Sequence, residues 1–222
     1  MTTFKRCASY ALAVLILIGA AITLDVAPAR ASVIVGTAND ANCYPYDCFS
    51  GEYQQVYSAS AFSGTTSFNQ IIFFNTIYQP GTATLSTATY TISFSITSAA
   101  VNGLSGTFAN NIGSNSQVFF SGIAGGSSLS FTGANYTYNP LAGNLLIDIK
   151  VTNITSNGHG YLDADNSGSV TSRLYGAGAA DSNGIVTQFG TATPVPEPAS
   201  ILLFGAGLVG VALLRRKTAF LR

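Results

Sequence analysis

The residue types and spacing with the most chemical content lie in Asp163-Ala164-Asp165-Asn166-Ser167-Gly168-Ser169. Oxygen ligands at alternate positions, here Asp163, Asp165 and Ser167, with glycine at the sixth, form the opening of a calcium loop. The pattern then stops. Position twelve, where such a loop needs a bidentate glutamate, is Leu174, and Arg173 stands beside it. A plain turn of Asp, Asn, Ser and Gly explains the same residues, so calcium is the one cofactor the sequence raises. His159, the only histidine, lies in Asn157-Gly158-His159-Gly160-Tyr161, close in sequence to Asp163. A Ser-His-Asp triad is defined by geometry and not by residue types, and no serine stands in a G-x-S-x-G elbow. Glu52 is the only glutamate between Ser32 and Pro194, so no acidic pair is singled out for glycoside hydrolysis. Carbohydrate contact fits the composition better. Tyr44, Tyr46, Tyr53, Tyr57, Tyr136 and Tyr138 offer flat apolar faces with polar tips, although alternating aromatics such as Tyr90 and Phe94 read as core.

These groups sit in a chain with only 8% charged and 47% hydrophobic residues, filled out by Gly, Ser, Thr and Asn, which is unusual for a cytosolic enzyme. The zero formal charge hides an asymmetry. Most of the basic residues lie in the two end segments, and between Ser32 and Pro194 only Lys150 and Arg173 are basic. Against them stand Asp40, Asp47, Glu52, Asp148, Asp163, Asp165 and Asp181. An acidic body of this kind argues against nucleic-acid binding, which draws its affinity from cationic contacts to phosphate.

Lys5 and Arg6 precede an uncharged, largely apolar run that leads into Ala29-Arg30-Ala31, the arrangement of a secretory signal peptide over residues 1–31. Small side chains at Ala29 and Ala31 fit signal peptidase, which places cleavage after Ala31; the alternative is an uncleaved membrane anchor. The remaining cysteines, Cys43 and Cys48, are spaced for a local disulfide in an oxidising compartment, worth about 2 kcal/mol for so short a loop. Zinc would need two further Cys or His ligands, and only His159 is at hand.

The elements that must position these residues are strands. In Tyr90 to Thr97 apolar and hydroxyl residues alternate, and in Leu145 to Thr152 the odd positions are aliphatic while Asp148, Lys150 and Thr152 share the opposite, wet face. Further strands are expected over 70–78, 117–120, 128–132 and 185–189, whereas 53–65 is left open between strand and irregular chain. Asn102-Gly103, Asn157-Gly158 and Asn183-Gly184 are tight-turn signals. Many short strands punctuated by turns, with no long amphipathic helix, predict one all-β domain over 32–190: an antiparallel β-sandwich of jelly-roll type whose connectivity is not readable.

Residues 191–198 form a Pro-rich linker containing Val195-Pro196-Glu197-Pro198, followed over 199–222 by an apolar run to Leu214 and the basic cluster Arg215-Arg216-Lys217. Prolines hold such a spacer extended, the apolar run partitions into a bilayer, and the cations stay on the cytoplasmic side. Sixteen residues from Ala199 to Leu214 span about 24 Å as a helix, short of a hydrocarbon core of about 30 Å, which favours a temporary stop-transfer span over a permanent anchor. This ordered set of motif, Gly-containing apolar helix and Arg-rich end resembles a PEP-CTERM sorting signal; the plainer alternative is a C-terminal transmembrane anchor preceded by prolines.

Such a resemblance implies export through signal peptidase, transient residence in the inner membrane, processing by the protease-like exosortase, and delivery to the cell surface or an exopolysaccharide matrix of a biofilm or floc. The body is also similar to a recurrent β-rich body in this family through Tyr138-Asn139-Pro140-Leu141-Ala142-Gly143-Asn144-Leu145 and the residues that follow, Leu162-Asp163-Ala164, and Thr187-Gln188-Phe189. That likeness carries no known activity. The expectation is therefore a non-enzymatic structural or glycan-associated surface protein; the alternatives are a secreted carbohydrate or ester hydrolase and a calcium-dependent adhesin.

Overall fold

A computed structural model describes residues 32–48 and 51–192. The signal segment with Ala29 and Ala31, the motif Val195-Pro196-Glu197-Pro198, the apolar run and Arg215-Arg216-Lys217 lie outside the described residues. Among those described, no helix is long and apolar enough to cross a membrane.

The described chain is all-β, and its strands pair antiparallel throughout. In order they are β1 (Val33–Val35), β2 (Asp40–Asn42), β3 (Gly51–Tyr57), β4 (Thr66–Phe73), β5 (Leu85–Thr97), β6 (Gln117–Gly126) and β7 (Ser130–Tyr138). They continue as β8 (Asn144–Ser156), β9 (Leu162–Asp165), β10 (Thr171–Tyr175), β11 (Ala179–Asp181), β12 (Gly184–Ile185) and β13 (Thr187–Gly190). A four-stranded sheet has the order β1-β13-β4-β7, a six-stranded sheet β11-β10-β3-β8-β5-β6, and a small sheet β12-β9-β2. Single 3-10 turns interrupt the loops at Ala59–Ala61, Phe108–Asn111 and Pro140–Ala142.

The two large sheets pack through rings. Phe68 of β4 meets Phe94 of β5 edge-on at 5.0 Å between centroids, and Phe189 of β13 lies 4.9 Å from Phe68 and 5.1 Å from Tyr57 of β3. Edge-to-face pairs of this kind add to the burial of large apolar surfaces. On one flank the sheets all but touch, because a Cβ on Gly133 of β7 would stand 2.0 Å from the Phe119 carbonyl oxygen of β6, a distance only glycine permits.

The alternation in β5 works as expected up to Phe94: Tyr90, Ile92 and Phe94 face the core and are fully buried. Beyond it Ser95 and Thr97 are buried too, and in β8 both Leu146 and Asp148 are buried beside the inward aliphatics. The outer face of this sheet is therefore covered around Ser95, Thr97, Leu146 and Asp148, while Lys150 and Thr152 stay exposed on it as expected. Residues 98–116 lie over it, held by Gly113 N donating to Ser95 Oγ at 3.2 Å and Ala99 N to Thr97 Oγ1 at 3.1 Å. The strand expected over 70–78 instead covers Thr66–Phe73, since the chain turns at Asn75, and the open stretch 53–65 divides into the end of β3 and a 3-10 turn. Asn157-Gly158 and Asn183-Gly184 are crossing points instead of two-residue hairpin turns. A Cβ on Gly158 would meet the Thr84 oxygen at 2.4 Å, so the motif marks close backbone approach.

Candidate functional site

Asp163 and Asp165 lie in β9, paired with β2 and β12, and not in an open loop. Asp163 Oδ1 accepts from the amides of Thr76 at 2.7 Å and Ile77 at 3.1 Å, and Oδ2 accepts from Thr76 Oγ1 at 2.5 Å. Asp165 Oδ2 accepts from Thr37 N and Oδ1 from Ser167 N, at 2.9 and 2.8 Å. Burial works to raise the Asp165 carboxyl, yet these donors and Asn39 outweigh it and hold the group below its ordinary value. Both carboxylates thus anchor backbone, while the Ser167 hydroxyl turns to Ser169 at 2.7 Å. Among the described residues, no three His, Cys, Asp or Glu side chains group as metal ligands.

His159 is exposed, its backbone bridged to Thr84 by bonds of 2.7 and 3.0 Å. The Asp163 carboxylate is engaged with Thr76 and Ile77, away from any triad role. Cys43 and Cys48 form a disulfide, with Cα atoms 5.4 Å apart. Inside that loop Tyr46 drops into the core, 5.1 Å from Phe73 and 5.8 Å from Tyr90.

The tyrosines expected to form a sugar platform do not. Tyr46, Tyr53, Tyr57, Tyr136 and Tyr138 are buried, and Tyr44 packs its ring 4.7 Å from Tyr175 and 5.4 Å from the Arg173 guanidinium. Arg173 is itself fully committed, forming a two-point ion pair with Asp181 and lying 4.6 Å from the Tyr175 ring, with a further bond to Asn42. It borders a cleft of about 460 Å³ with Asn102, Leu104, Ser172 and Ser182, but brings no free charge to it.

The exposed aromatic pair is a different one, Tyr78 and Tyr161, with rings edge-on at 5.0 Å and exposures of 49% and 38%. Ile77, also exposed, lies beside them in the chain. The pair is fixed from beneath. A single buried amide, Asn75 Nδ2, donates to the carbonyls of both Tyr78 and Tyr161, at 2.7 and 2.8 Å, tying the two segments together. Asn75 Oδ1 accepts from Thr82 N at 2.9 Å and Ala83 N at 3.2 Å, closing the 75–83 turn, while Asp163 clamps its first residues. Aromatic faces held half-open by buried polar residues are suited to stacking against the apolar face of a sugar ring, with the phenol tips available for hydrogen bonds. The signal that separates them from the buried tyrosines is local: Tyr78 precedes Gln79-Pro80-Gly81 and Tyr161 follows Gly160, whereas the buried ones sit in strands or in the disulfide turn.

One acidic group was misplaced by the alternation. Asp148, only 7% exposed, accepts from Gln54 Nε2 at 3.0 Å; the same amide donates to Phe108 O at 3.1 Å, and Gln54 Oε1 accepts from Asn111 Nδ2 at 2.9 Å. Burial pushes the Asp148 carboxyl up to about 7, and the neighbouring Glu52 carboxylate adds to this, against the pull of Gln54 and Lys150. Glu52 also pairs with Lys150 at 3.6 Å in an exposed contact of small worth. The structure thus brings Glu52 and Asp148 together where the sequence singled out no acidic pair.

No curated protein and no solved structure matches the chain. Residues 194–217, directly beyond the described body, match the PEP-CTERM protein-sorting motif. The chain accordingly carries the signal of an exported protein that is processed by exosortase, a membrane partner, and sorted to the cell surface.

Proposed function

We propose that the body is a non-enzymatic, glycan-associated component of the cell surface or its exopolysaccharide matrix, contacting polysaccharide through Tyr78 and Tyr161. The observation that carries this reading is the exposed tyrosine pair, bound from below by the one buried amide of Asn75. Two segments distant in sequence converge to present the pair.

The scaffold reading is a jelly-roll sandwich. Through the strands of the two large sheets the chain passes from one sheet to the other at every step except β5 to β6, β8 to β10 and β10 to β11, which favours that rolled double-sheet topology. Sandwiches of this type recur among lectin domains, although fold alone does not assign function.

The test is retention of the secreted protein on exopolysaccharide from the producing cells, beside a panel of purified neutral and acidic polysaccharides. Tyr78→Ala and Tyr161→Ala lose retention while keeping the wild-type melting temperature. Equal retention of wild type and both variants would remove the platform, and self-assembly without glycan would favour a purely structural role. Turnover of any glycan or ester, abolished by His159→Ala, would restore the hydrolase alternative.

A further inference from the structure

The path of the chain gives the body two unlike ends. Gly190, the last residue of β13, pairs with Gln70 of β4, and Ala192 N donates to Asn69 Oδ1 at 2.8 Å, so the chain leaves the body alongside the early part of β4. Four residues back along β4, Thr66 pairs with Tyr138, the end of β7, where the turn Pro140–Ala142 follows. The loop after β3 joins the same end. Its Phe62 ring lies 4.7 Å from Tyr138, and Ala59 N donates to Asn144 Oδ1 at 2.9 Å. Ser58 N, donating to Val170 O at 2.8 Å, brings the start of β10 there as well.

None of the segments 58–65, 139–143 and 190–192 contains an ionisable side chain. The register places Arg173 beside Gln55, Asp148 beside Gln54 and Lys150 beside Glu52, all on the side of β3 away from its last residue, Tyr57. Of the acidic residues Asp165 comes near, lining a cleft with Ala61 and Val170, but it is buried, and no acidic side chain lies in the segments 58–65, 139–143 and 190–192 around the departing tail. At that end Leu141 is 93% exposed, the largest exposure among the big apolar side chains described. Its turn is rigid. Asn139 Oδ1 accepts from Leu141 N at 3.0 Å, and Tyr138 OH donates to Gly143 O at 2.7 Å.

We propose that this end, whose segments carry no ionisable side chain and which holds only the α-amino group of Ser32 once Ala31 is cleaved off, is a seat for the phospholipid surface, with Leu141 as its apolar contact. The occupant follows from reach and charge. Six residues, 193–198, separate the described body from the apolar run beginning at Ala199, and the seven steps from Ala192 to Ala199 span no more than about 25 Å at full extension. While that run occupies a bilayer the body cannot stand farther away than this. A face without acidic side chains and with an exposed leucine meets the headgroup layer without the desolvation that the acidic surface would incur. The seating rests on export and sorting of the chain and is independent of glycan binding.

The proposal is tested with the mature chain beginning at Ser32, its Cys43–Cys48 pair left oxidised, reconstituted through its C-terminal segment into phospholipid vesicles without exosortase. Single cysteines replacing Leu141, Ser60 or Tyr78 carry an environment-sensitive fluorophore, and the lipids carry a headgroup nitroxide quencher. The expected result is loss of most of the fluorescence at 141 and 60 and none at 78. No quenching at 141 and 60 would overturn the seat, leaving contact with the membrane enzyme as the explanation of the end free of ionisable side chains. Equal quenching at all three positions would overturn it too, since the body would then lie on its side. Ser60 is exposed, so the second probe keeps the outcome decisive if labelling at 141 disturbs its turn.

Discussion

At one end of the body buried polar groups are concentrated beneath exposed rings; at the other, where the chain departs for its sorting tail, the segments carry no ionisable side chain and one leucine stands bare. The first end is held by long-range side-chain bonds: Asn75 joins residues 78 and 161, and Asp163 clamps residues 76 and 77. The second is held by strand ends and local caps such as Asn139 over Leu141. The difference teaches where specificity resides. A surface that must present two rings in a set geometry needs fixed backbone below it, whereas a face that meets a fluid lipid layer needs only the right polarity.

The sharpest way to break this contrast is Asn75→Ala. It strips buried amides and carbonyls of their partner, and we expect a loss of about 3 kcal/mol in urea unfolding together with loss of polysaccharide retention. If the loss stays under about 1 kcal/mol, the turn is not fixed by Asn75.

Between the ends, Asp148→Asn tests the covered sheet face. The unfolded carboxyl releases its proton near pH 4 and the folded one near 7. Stability associated with the protonated form is thus complete below about pH 4 and is lost as pH rises to about 7. Asp165 and Asp181, held low, contribute with the opposite sign and at more acidic pH, so they do not mask this window. Asp148→Asn should therefore stabilise by about 2 kcal/mol at pH 8 and by nothing at pH 4, read from chemical denaturation at both pH values.

Removing either ring, by Tyr78→Ala or Tyr161→Ala, is expected to weaken polysaccharide binding about tenfold, or about 1.4 kcal/mol, in affinity electrophoresis. Melting should move little, because both side chains are only part-covered and neither belongs to the core. Smallest of all, Leu141→Ser should alter unfolding free energy by less than about 0.5 kcal/mol, as nothing in the body covers the side chain. A large loss there would show that Leu141 belongs to the core of the body.

The sequence made β5 and β8 legible because each buries one aliphatic or aromatic face against a constant partner. β3 was not, since Gln54 and Gln55 in its middle look like surface residues. In the fold both are fully buried, Gln54 bonded to Asp148 and Asn111, and Gln55 to the backbone of Ile185 at 2.9 and 2.7 Å. Asp148 was assigned to water for the same reason. Alternation reports which face a side chain takes, not whether a loop far along the chain comes to cover that face. The sorting tail was readable because its motif, apolar run and cations act in linear order. The tyrosine pair was not, because it exists only once residues 78 and 161 are brought together, and a tyrosine carries no mark of its burial beyond its immediate neighbours.

The position of β13 has a consequence in time. The first strand of the body, β1, pairs with β13, and β13 fills the place between β1 and β4. A chain threaded outward from its N-terminus delivers β1 early, but the partner of β1 arrives with the last residues before the linker. The four-stranded sheet stays open until then, with Phe68 and Phe94 lacking their contacts to Phe189. Closure across so long a stretch of sequence is slow. If the tail pauses in the bilayer, as the expected sorting route has it, the unfinished sheet gains an interval in which to close before release, and the address at the C-terminus would then also serve as a delay.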